Sequence, residues 1–362
     1  MNTHATRPAR GWMRVGVLVA VAGLGAAPLA AEIVAIRGSV EAEVTELRGS
    51  AEGDSDRVFE GFPQTSTTLP IQAFARLVSD VGGLEGVAIS AAQFADPRDL
   101  AQPNPEEFAI DLALNSISPS VAYRGRAVTS EVREVAFAPE EFPRLASGQT
   151  ISVFGQVFLD GALAVFATDP QMDLTGAHAT IEVEVTRHGG SLDDQVVFHG
   201  RVDLRGTTAG QVRVVTDGDI PAARLILTDL SVLSDDFAAF HTLIIPQVTI
   251  TYPYDAVVGE SFTLTARITA DATNLPGETG AAVILGTPVD SLADVIRLTR
   301  GEQVAAKTIA ALENERANPS GAPVVSPSPL GALVPACGML GFEGLLGFVA
   351  LAAWRVRIRH PG

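Results

Sequence analysis

Cysteine and tryptophan are scarce in this 362-residue sequence, and the few that occur lie in its terminal segments. The one cysteine, Cys337, belongs to an apolar stretch near the C-terminus. The chain therefore cannot form an internal disulfide, and the region before that stretch has no thiolate chemistry. Both tryptophans, Trp12 and Trp354, also lie close to the ends of the chain.

Tyrosine is nearly as rare, with three residues in the chain. Sugar-binding faces usually stack rings on Trp or Tyr, and Tyr252 and Tyr254 share one face of a predicted strand. They are therefore the candidate platform for a polysaccharide. The neighbouring Pro253 favours a packing or edge-strand role for them instead.

Several catalytic signatures are also absent from the sequence. It contains no His-Glu-x-x-His, no Gly-x-Ser-x-Gly and no glycine loop of the kind that holds phosphate. The many acidic residues allow many carboxylate pairs, so the presence of a pair does not by itself indicate a glycosidase. The sequence thus predicts a protein that is not an enzyme. An extracellular hydrolase is kept as a third function class, after a structural protein and a binding module.

Basic residues are also scarce relative to acidic ones. Residues 32–328 contain 19 basic against 41 acidic side chains, a formal charge of −22. Such a surface repels nucleic acid and anionic lipid, so no nucleic-acid partner is expected. The same charge favours solubility and could attract divalent cations.

The first 31 residues have the layout of a secretory signal peptide. Arg7, Arg10 and Arg14 precede the apolar residues 15–24, and small residues follow to Ala31. No adjacent arginine pair precedes the apolar run, which favours the general export route. We expect cleavage after Ala31.

The C-terminal 46 residues predict a spacer and an anchor. Residues 317–329 are rich in Pro and Ser, and the apolar run 330–354 is interrupted by Glu343. A 25-residue helix is about 37 Å long, enough to cross a hydrocarbon core of about 30 Å. Arg355, Arg357 and Arg359 then favour a tail held on the cytoplasmic side. Residues 330–362 are therefore predicted to be one transmembrane helix with a basic tail.

This combination of spacer, apolar helix and terminal basic cluster resembles the C-terminal sorting signal of bacterial PEP-CTERM proteins. The family's spacer carries Val-Pro-Glu-Pro, whereas this chain has Val325-Ser326-Pro327-Ser328-Pro329, which keeps both prolines and replaces the glutamate. Residues 258–266 and the predicted loop 277–287 also resemble the exported bodies of this family. The resemblance implies export, a position at the cell surface and processing by an exosortase-like enzyme.

Between the ends the pattern is that of an all-β protein. Residues 40–45, 179–186 and 262–269 alternate apolar and polar side chains, as half-buried strands do. Residues 151–159 are apolar on both faces, as expected of a strand in the middle of a sandwich. Residues 69–78 fit a strand or a short helix equally well, and residues 48–56 form a predicted polar turn region.

These patterns predict an antiparallel β-sandwich body between the signal segment and the C-terminal helix. They divide it into a β-rich region, 32–147, and a β-sandwich region, 148–316, that ends in the only predicted helix, 304–316. Whether the two regions are one elaborated sandwich or two domains is left open by the sequence.

Metal sites are suggested by carboxylates in predicted turns. Calcium prefers carboxylate and carbonyl oxygens on loops, so Asp217 and Asp219, on either side of Gly218, are the predicted calcium ligands. The alternative is that Asp and Gly are simply good turn formers. Two further acidic pairs occupy other predicted turns, and four histidines lie in the body without ligand spacing. The residues are Asp193, Asp194, Asp235, Asp236, His178, His188, His199 and His241.

Together these observations predict an exported protein, tethered to the membrane or released into the matrix, with a structural role at the cell envelope. The alternative is an extracellular binding module for a carbohydrate or a calcium-bridged partner. No cofactor is expected, apart from calcium in that second case.

Overall fold

The structure is a computed structural model that describes residues 13–15, 32–62, 71–78, 85–93, 106–169, 172–231, 236–286 and 290–324. The predicted signal segment, apart from residues 13–15, and the predicted helix 330–354 lie outside these residues. Within the described part of the chain, no helix is long and apolar enough to cross a membrane.

The described residues form mostly β-strands, with two α-helices near the C-terminal end of the body. In chain order the elements are β1 (Met13–Val15), β2 (Glu32–Arg48), β3 (Ala51–Phe62), β4 (Ile71–Val78), β5 (Glu85–Gln93), β6 (Glu106–Ser116), β7 (Val121–Ala136), β8 (Thr150–Ala167), β9 (His178–His188), β10 (Gln195–Gly206), β11 (Val212–Gly218), β12 (Ile226–Asp229), β13 (Ala239–Val257), β14 (Ser261–Thr273), β15 (Thr279–Leu285), α1 (Asp290–Arg300), α2 (Glu302–Ala317) and β16 (Ala322–Pro323).

The described strands pair into two antiparallel sheets. The large sheet has the order β16-β12-β13-β8-β15-β6-β5-β4, with β1 paired to β6 beside this path. The small sheet has the order β11-β10-β9-β14-β7-β2-β3. The all-β prediction is therefore confirmed, and each sheet takes strands from both sides of residue 148. The two regions predicted from the sequence thus belong to one elaborated body.

The inner faces of the two sheets share one apolar core. Val40 and Ala42 of β2 belong to the same buried cluster as Leu112 of β6 and Val157 of β8. The sheets approach closely at Gly125 of β7, where an added Cβ would lie 2.4 Å from a methyl carbon of Leu112. Burial of each such aliphatic side chain stabilises the fold by about 1.5–3 kcal/mol. The contact between inner faces is that of a sandwich.

The large sheet is also covered on its outer face, by the helix pair α1–α2. Alanines dominate the sheet side of this second cluster, among them Ala162, Ala164 and Ala282, and α1 contributes Leu292 and Ile296. Small side chains on the strands let a helix pack close to the sheet. Residues 161–167 of β8 and all of β15 are therefore buried on both faces and lose the alternation of a half-buried strand, whereas residues 150–160 of β8 alternate buried positions with exposed or half-buried ones.

Two polar side chains of β6 hold the ends of α1. The backbone N–H of Ser291 donates to Oδ2 of Asp111 at 2.7 Å, which places a carboxylate at the N-terminus of the helix. At the other end, the Asn115 side-chain amide donates to Thr299 at 2.5 Å. Both β6 residues are buried, so these bonds fix the helix position on the sheet.

An aromatic ring lies on a glycine at two places in the large sheet. Tyr252 is directly opposite Gly155 across β13 and β8, and a Cβ on that glycine would lie 2.2 Å from the tyrosine ring. Phe166 covers Gly280 in the same way, at 2.0 Å. Each ring fills the space that the missing side chain leaves in the strand.

Several predictions about elements are confirmed. The predicted helix 304–316 lies within α2, and the predicted strands 179–186 and 262–269 lie within β9 and β14. The undecided residues 69–78 contain the strand β4.

Other predictions were wrong, and the errors have physical causes. Residues 277–287, predicted as a loop, contain the central strand β15, whose residues are all buried and so show no alternation. The described residues contain two α-helices, α1 and α2, whereas the sequence predicted one. The predicted turn region 48–56 narrows to a turn at residues 49–50, because β3 begins at Ala51.

The predicted spacer starts later than its composition suggests. Residue 317 ends α2, and Ser320 then donates from its N–H and hydroxyl to the Glu315 carboxylate at 2.9 and 2.7 Å. Next, β16 pairs with β12, and the Val324 N–H donates to the Leu225 carbonyl at 2.9 Å. Residues 317–324 therefore belong to the body.

The pairing of Tyr252 with Gly155 gives a stability prediction. We expect Gly155→Ala to lower the free energy of unfolding by about 1–3 kcal/mol, because the added methyl must displace the ring. Urea denaturation of the full-length protein measures this. Ser152→Ala, at an exposed position of the same strand, is the matched control and should change stability by less than about 0.5 kcal/mol. Equal effects of the two substitutions would contradict the packing described here.

Candidate functional site

The outer face of the small sheet carries a continuous pattern of charged and hydroxyl side chains. Successive strands alternate sign along one row, in which Glu43 of β2 is opposite Arg126 of β7, and Arg126 is opposite Asp271 of β14. Thr180 of β9 and Asp203 of β10 continue the row. We call this surface the charged face. Opposite charges on directly opposed positions stabilise the pairing of the strands that carry them.

Asp203 is the most enclosed charge on this face, with 2% of the residue exposed. Its carboxylate accepts hydrogen bonds from Arg201 at 3.0 Å, from Arg205 and from the Thr180 hydroxyl. Burial alone would raise the pKa of Asp203, but these donors outweigh it and lower the pKa. The carboxylate is therefore a structural anion that joins β9 and β10.

A depression of about 250 Å³ interrupts the charged face between β2, β7 and β14. Its lining includes two arginines, Arg124 and Arg126. Arg124 donates to Glu52 at 2.8 Å, whereas Arg126 and Asp271 are 3.8 Å apart, a looser ion pair. Burial raises the pKa of Asp271, and Arg126 offsets only part of that effect. The lining residues are Glu43, Thr45, Arg124, Gly125, Arg126 and Asp271.

Such a depression can exchange hydrogen bonds with a hydroxyl-rich ligand. Guanidinium groups donate in a planar fork, and the carboxylates and the hydroxyl beside them accept. The charges of the lining balance, two positive against two negative, which suits a neutral or singly charged sugar better than a polyanion. Sequence reasoning missed this site, because its residues come from three strands far apart in the chain.

The predicted calcium ligands lie at the other end of this face, where β11 ends: Asp217 is within the strand and Asp219 follows it. Asp217 is opposite Arg201 in the sheet register, and Gly218 has a φ of +74°, so the backbone turns there. The Asp219 carboxylate accepts the backbone N–H of His199 at 3.1 Å, and the Asp219 N–H donates to the His199 carbonyl at 2.6 Å. These contacts support the turn-forming role of Asp219. In the part of the chain that the structure describes, no three Asp, Glu, His or Cys side chains gather as a metal site, and calcium at Asp217 and Asp219 stays a prediction.

The histidines of the body do not converge. His199 contacts Glu182 at 3.2 Å on the charged face, and His188 contacts Asp194 at 2.9 Å in the turn between β9 and β10. The hydrogen bond from His188 lowers the pKa of Asp194. The two remaining rings contact backbone carbonyls. His178 contacts the carbonyl of Gly176 at 3.1 Å, and His241 contacts the carbonyl of Gly210 at 2.7 Å.

The remaining acidic pairs have simple roles where they are described. Asp194 also accepts the Gly189 N–H at 3.0 Å, which closes the turn between β9 and β10. The Asp193 carbonyl accepts a hydrogen bond from Arg187. Of the third pair, Asp235 lies outside the described residues and Asp236 follows it directly.

The tyrosine platform predicted as one alternative was wrong, and the packing role was right. Tyr252 and Tyr254 are 4% and 3% exposed, and both rings lie in the core between the sheets. Their ring centroids are 6.1 Å apart, and Tyr252 also packs on Phe198 at 5.6 Å. A buried ring offers no surface on which a sugar could stack.

A buried ion pair lies on the inner face of β7. Glu131 and Arg133 point into the sandwich, with side chains 1% and 6% exposed, and the Arg133 Nε donates to Glu131 Oε1. Desolvation raises the pKa of Glu131 and lowers that of Arg133 to about 9. Sequence reasoning missed this pair, because charged residues on a strand normally indicate its solvent-facing side.

Comparisons with known proteins do not assign the chain to a family. No protein-family model matches it, and no curated protein matches it either. Two similar solved structures are the infectious bursal disease virus VP2 subviral particle, with 11% identity over 97% of this chain and 83% of that chain, and infectious bursal disease virus strain Gx, with 13% identity over 86% and 83%. Their TM-scores are 0.11 and 0.10, too low to carry an argument about fold or function.

The environment of Asp203 predicts a pH-dependent stability effect. At pH 7 we expect Asp203→Asn to lower the free energy of unfolding by about 1–3 kcal/mol, because charge-assisted bonds from two arginines are lost. The lowered pKa means that Asp203 stabilises the fold at pH values above its unfolded-state pKa, near 3.9, and loses this effect as the pH falls through its folded-state pKa. Thermal unfolding of the full-length protein between pH 7 and pH 2 should therefore show the two proteins converging in acid.

Asp217→Asn provides the matched control, since Asp217 is exposed on the same face. It should change stability by less than about 0.5 kcal/mol at every pH. A constant difference between wild type and Asp203→Asn down to pH 2 would contradict the assignment of Asp203 as the structural anion.

Proposed function

We propose that the protein is an exported structural protein of the cell envelope, held to the membrane by its C-terminal segment or released from it by processing. The observation that carries this proposal is where the body ends. The compact unit that contains the body ends at Val325, and the next residue begins the Ser326-Pro327-Ser328-Pro329 motif. Processing enzymes act most readily where a compact unit ends along the chain.

The way in which the body ends supports a tether. The Glu315–Ser320 bonds close α2, and at Gly321 an added Cβ would lie 2.2 Å from the Thr228 hydroxyl. After β16 the chain therefore leaves from a fixed place at the edge of the large sheet.

A structural role is further supported by how the charges of the body are used. On the charged face, acidic and basic side chains pair with one another across strands, as Arg57 does with Glu41 at 2.6 Å and Arg201 with Glu182 at 3.8 Å. Charged side chains that pair across strands stabilise the sheet and are not available to activate a substrate. The net charge of −22 between residues 32 and 328 keeps such a body soluble outside the cytoplasm.

The tether is tested by fractionating cells that express the full chain or a chain that lacks residues 330–362. We expect the full chain in the membrane or envelope fraction and the shortened chain in the soluble exported fraction. A full chain with Pro327→Ala and Pro329→Ala should remain unprocessed if an exosortase-like enzyme acts on it. A full-length protein with Ser320→Ala, which leaves the motif intact, is the control for processing.

The proposal would be contradicted if the chain without residues 330–362 fractionated like the full chain. If the prolines have no effect while the deletion releases the protein, the C-terminal segment is an anchor and the sorting resemblance misleads.

A second candidate function is carbohydrate binding at the depression on the charged face. The observation that favours it is the pair of neighbouring guanidinium groups, Arg124 and Arg126, beside the carboxylates of Glu43 and Asp271. Opposed donors and acceptors of this kind match the hydroxyl groups of a sugar ring. This candidate keeps the protein outside the cell and adds an extracellular polysaccharide as its partner.

We expect the double variant Arg124→Ala/Arg126→Ala to lose at least about tenfold in affinity for a polysaccharide that the full-length protein binds, measured by affinity electrophoresis. This corresponds to about 1.4 kcal/mol. Arg57→Ala, on the same face but outside the depression, should leave the affinity unchanged. Equal losses in both variants would point to general electrostatics, and binding by neither variant nor wild type would remove this candidate.

A further inference from the structure

Strand β11 forms one edge of the small sheet, and among the described strands it pairs on one side only, with β10. Proteins usually protect such an edge with charged residues, proline, a bulge or a covering segment. The opposite edge strand, β3, contains four acidic residues, and its Asp56 accepts the Arg76 N–H of β4 at 2.8 Å. Strand β11 contains neither lysine nor proline, and three of its seven residues are valine. It is therefore suited to pairing with a further strand.

The hydrogen bonds between β10 and β11 define which β11 residues face this edge. The Thr207 N–H donates to the Gln211 carbonyl at 2.8 Å, and the Asp219 N–H donates to the His199 carbonyl at 2.6 Å. These two pairs extend the register of the strands at its two ends. Hydrogen-bonded pairs alternate with non-hydrogen-bonded pairs in an antiparallel ladder, so the odd-numbered residues of β11 bond to β10. The even-numbered residues direct their N–H and C=O groups towards the edge.

Two copies of β11 can pair antiparallel about a two-fold axis when even-numbered residues oppose even-numbered ones. If the axis passes Val215, Arg213 of each copy lies opposite Asp217 of the other. These three side chains share the charged face, because Val215 is opposite Asp203 in the sheet register. They would occupy non-hydrogen-bonded positions, where opposed side chains are closest. An axis at Val214 would instead place Arg213 opposite Val215, so charge complementarity selects the first register.

The charges of β10 do not compete with this pairing. Arg205 lies opposite Arg213, which is a like charge, and it pairs with Asp203. Arg201 lies opposite Asp217 and bonds to the same Asp203 carboxylate at 3.0 Å. Together β10 and β11 contain three arginines and two aspartates, whereas residues 32–328 have a net charge of −22. This edge therefore lacks the excess of negative charge that would keep two copies apart.

We propose that the protein forms a two-fold dimer in which the β11 strands of two copies pair antiparallel. Val215 lies at the axis, and Arg213 of each copy is opposite Asp217 of the other. Seven strands from each copy then form one continuous sheet, across which the charged face continues. The dimer depends neither on the C-terminal tether nor on the depression between β2, β7 and β14.

Charge reversal tests the pairing through the oligomeric state of the full-length protein, measured by sedimentation velocity in a non-ionic detergent. Wild type should show a concentration-dependent equilibrium between monomer and dimer. Arg213→Asp and Asp217→Arg each place like charges opposite one another at both symmetric contacts, so each should raise the dimer Kd by at least about tenfold. The double variant Arg213→Asp/Asp217→Arg restores opposite charges and should return the Kd towards that of wild type.

Arg144→Asp is the control, because it makes the same change in net charge at an exposed position after β7. It should leave the Kd unchanged. The proposal is overturned if wild type is monomeric at about 100 μM, as it would be if another segment of the chain or a different protein were the partner of β11. Dimers that persist unchanged in both single variants, or a double variant that does not recover, also overturn it.

A disulfide at the axis tests the register directly in full-length protein that carries Cys337→Ser. Val215→Cys places two thiols opposite each other, with Cα atoms about 4.5 Å apart, so mild oxidation should give a covalent dimer on a non-reducing gel. Val214→Cys is the matched control, since it keeps both charges and places its thiols two positions out of register, beyond the roughly 7 Å that a disulfide spans. Equal cross-linking at both positions, or none at Val215→Cys, overturns the proposal.

Discussion

The structure depends on covering both faces of the central strands of the large sheet. Residues 161–167 of β8 and strand β15 contribute to the core shared with the small sheet on one face and to the cluster that includes α1 and α2 on the other, and all of these positions are uncharged. The alanines at residues 162, 164 and 282 keep the outer face shallow enough for the helices. Asp111 and Asn115, on the neighbouring β6, then hold the ends of α1. Without this second layer an apolar sheet face would be exposed to solvent.

The buried ion pair is the exception to the apolar core, and its cost is substantial. Removing two charges from water costs several kcal/mol per ion, which their mutual attraction repays only with good geometry and further hydrogen bonds. Glu131 and Arg133 are neighbours on the same strand face, so the pair is formed locally within β7 and does not itself bridge the sheets.

The outer elements were predictable because half-buried strands keep an alternation that can be read from the chain. Residues 40–45, 179–186 and 262–269 are strands of the small sheet, with apolar side chains inside and charged ones outside, as predicted. Strand β15 was missed for the converse reason, since a strand buried on both faces has no polar positions to alternate. Helix α1 was missed although its local signal was present, since Leu292, Val295 and Ile296 recur at helical spacing and are the apolar residues that it buries.

The candidate sites differ in the same way: one is formed by residues adjacent in sequence and the other by residues from separate strands. The turn at Asp217 and Asp219 was predictable, because the Asp-Gly-Asp sequence itself favours it. The depression was not, because the register of three strands brings Glu43, Arg126 and Asp271 together. Glu131 and Val135 are four residues apart on β7, so their side chains lie on the same face of the strand. The sequence offers no reason to expect a charged residue on that buried face.

Hydrogen–deuterium exchange of the full-length protein, followed by mass spectrometry, tests most directly whether the central strands are covered on both faces. Peptides that contain residues 161–167 and 279–285 should exchange most slowly of the body, because their amides are paired on both sides and shielded above and below the sheet. The edge strand β3, largely exposed, should exchange much faster. Fast exchange across residues 279–285, at the rate of a surface loop, would contradict the account.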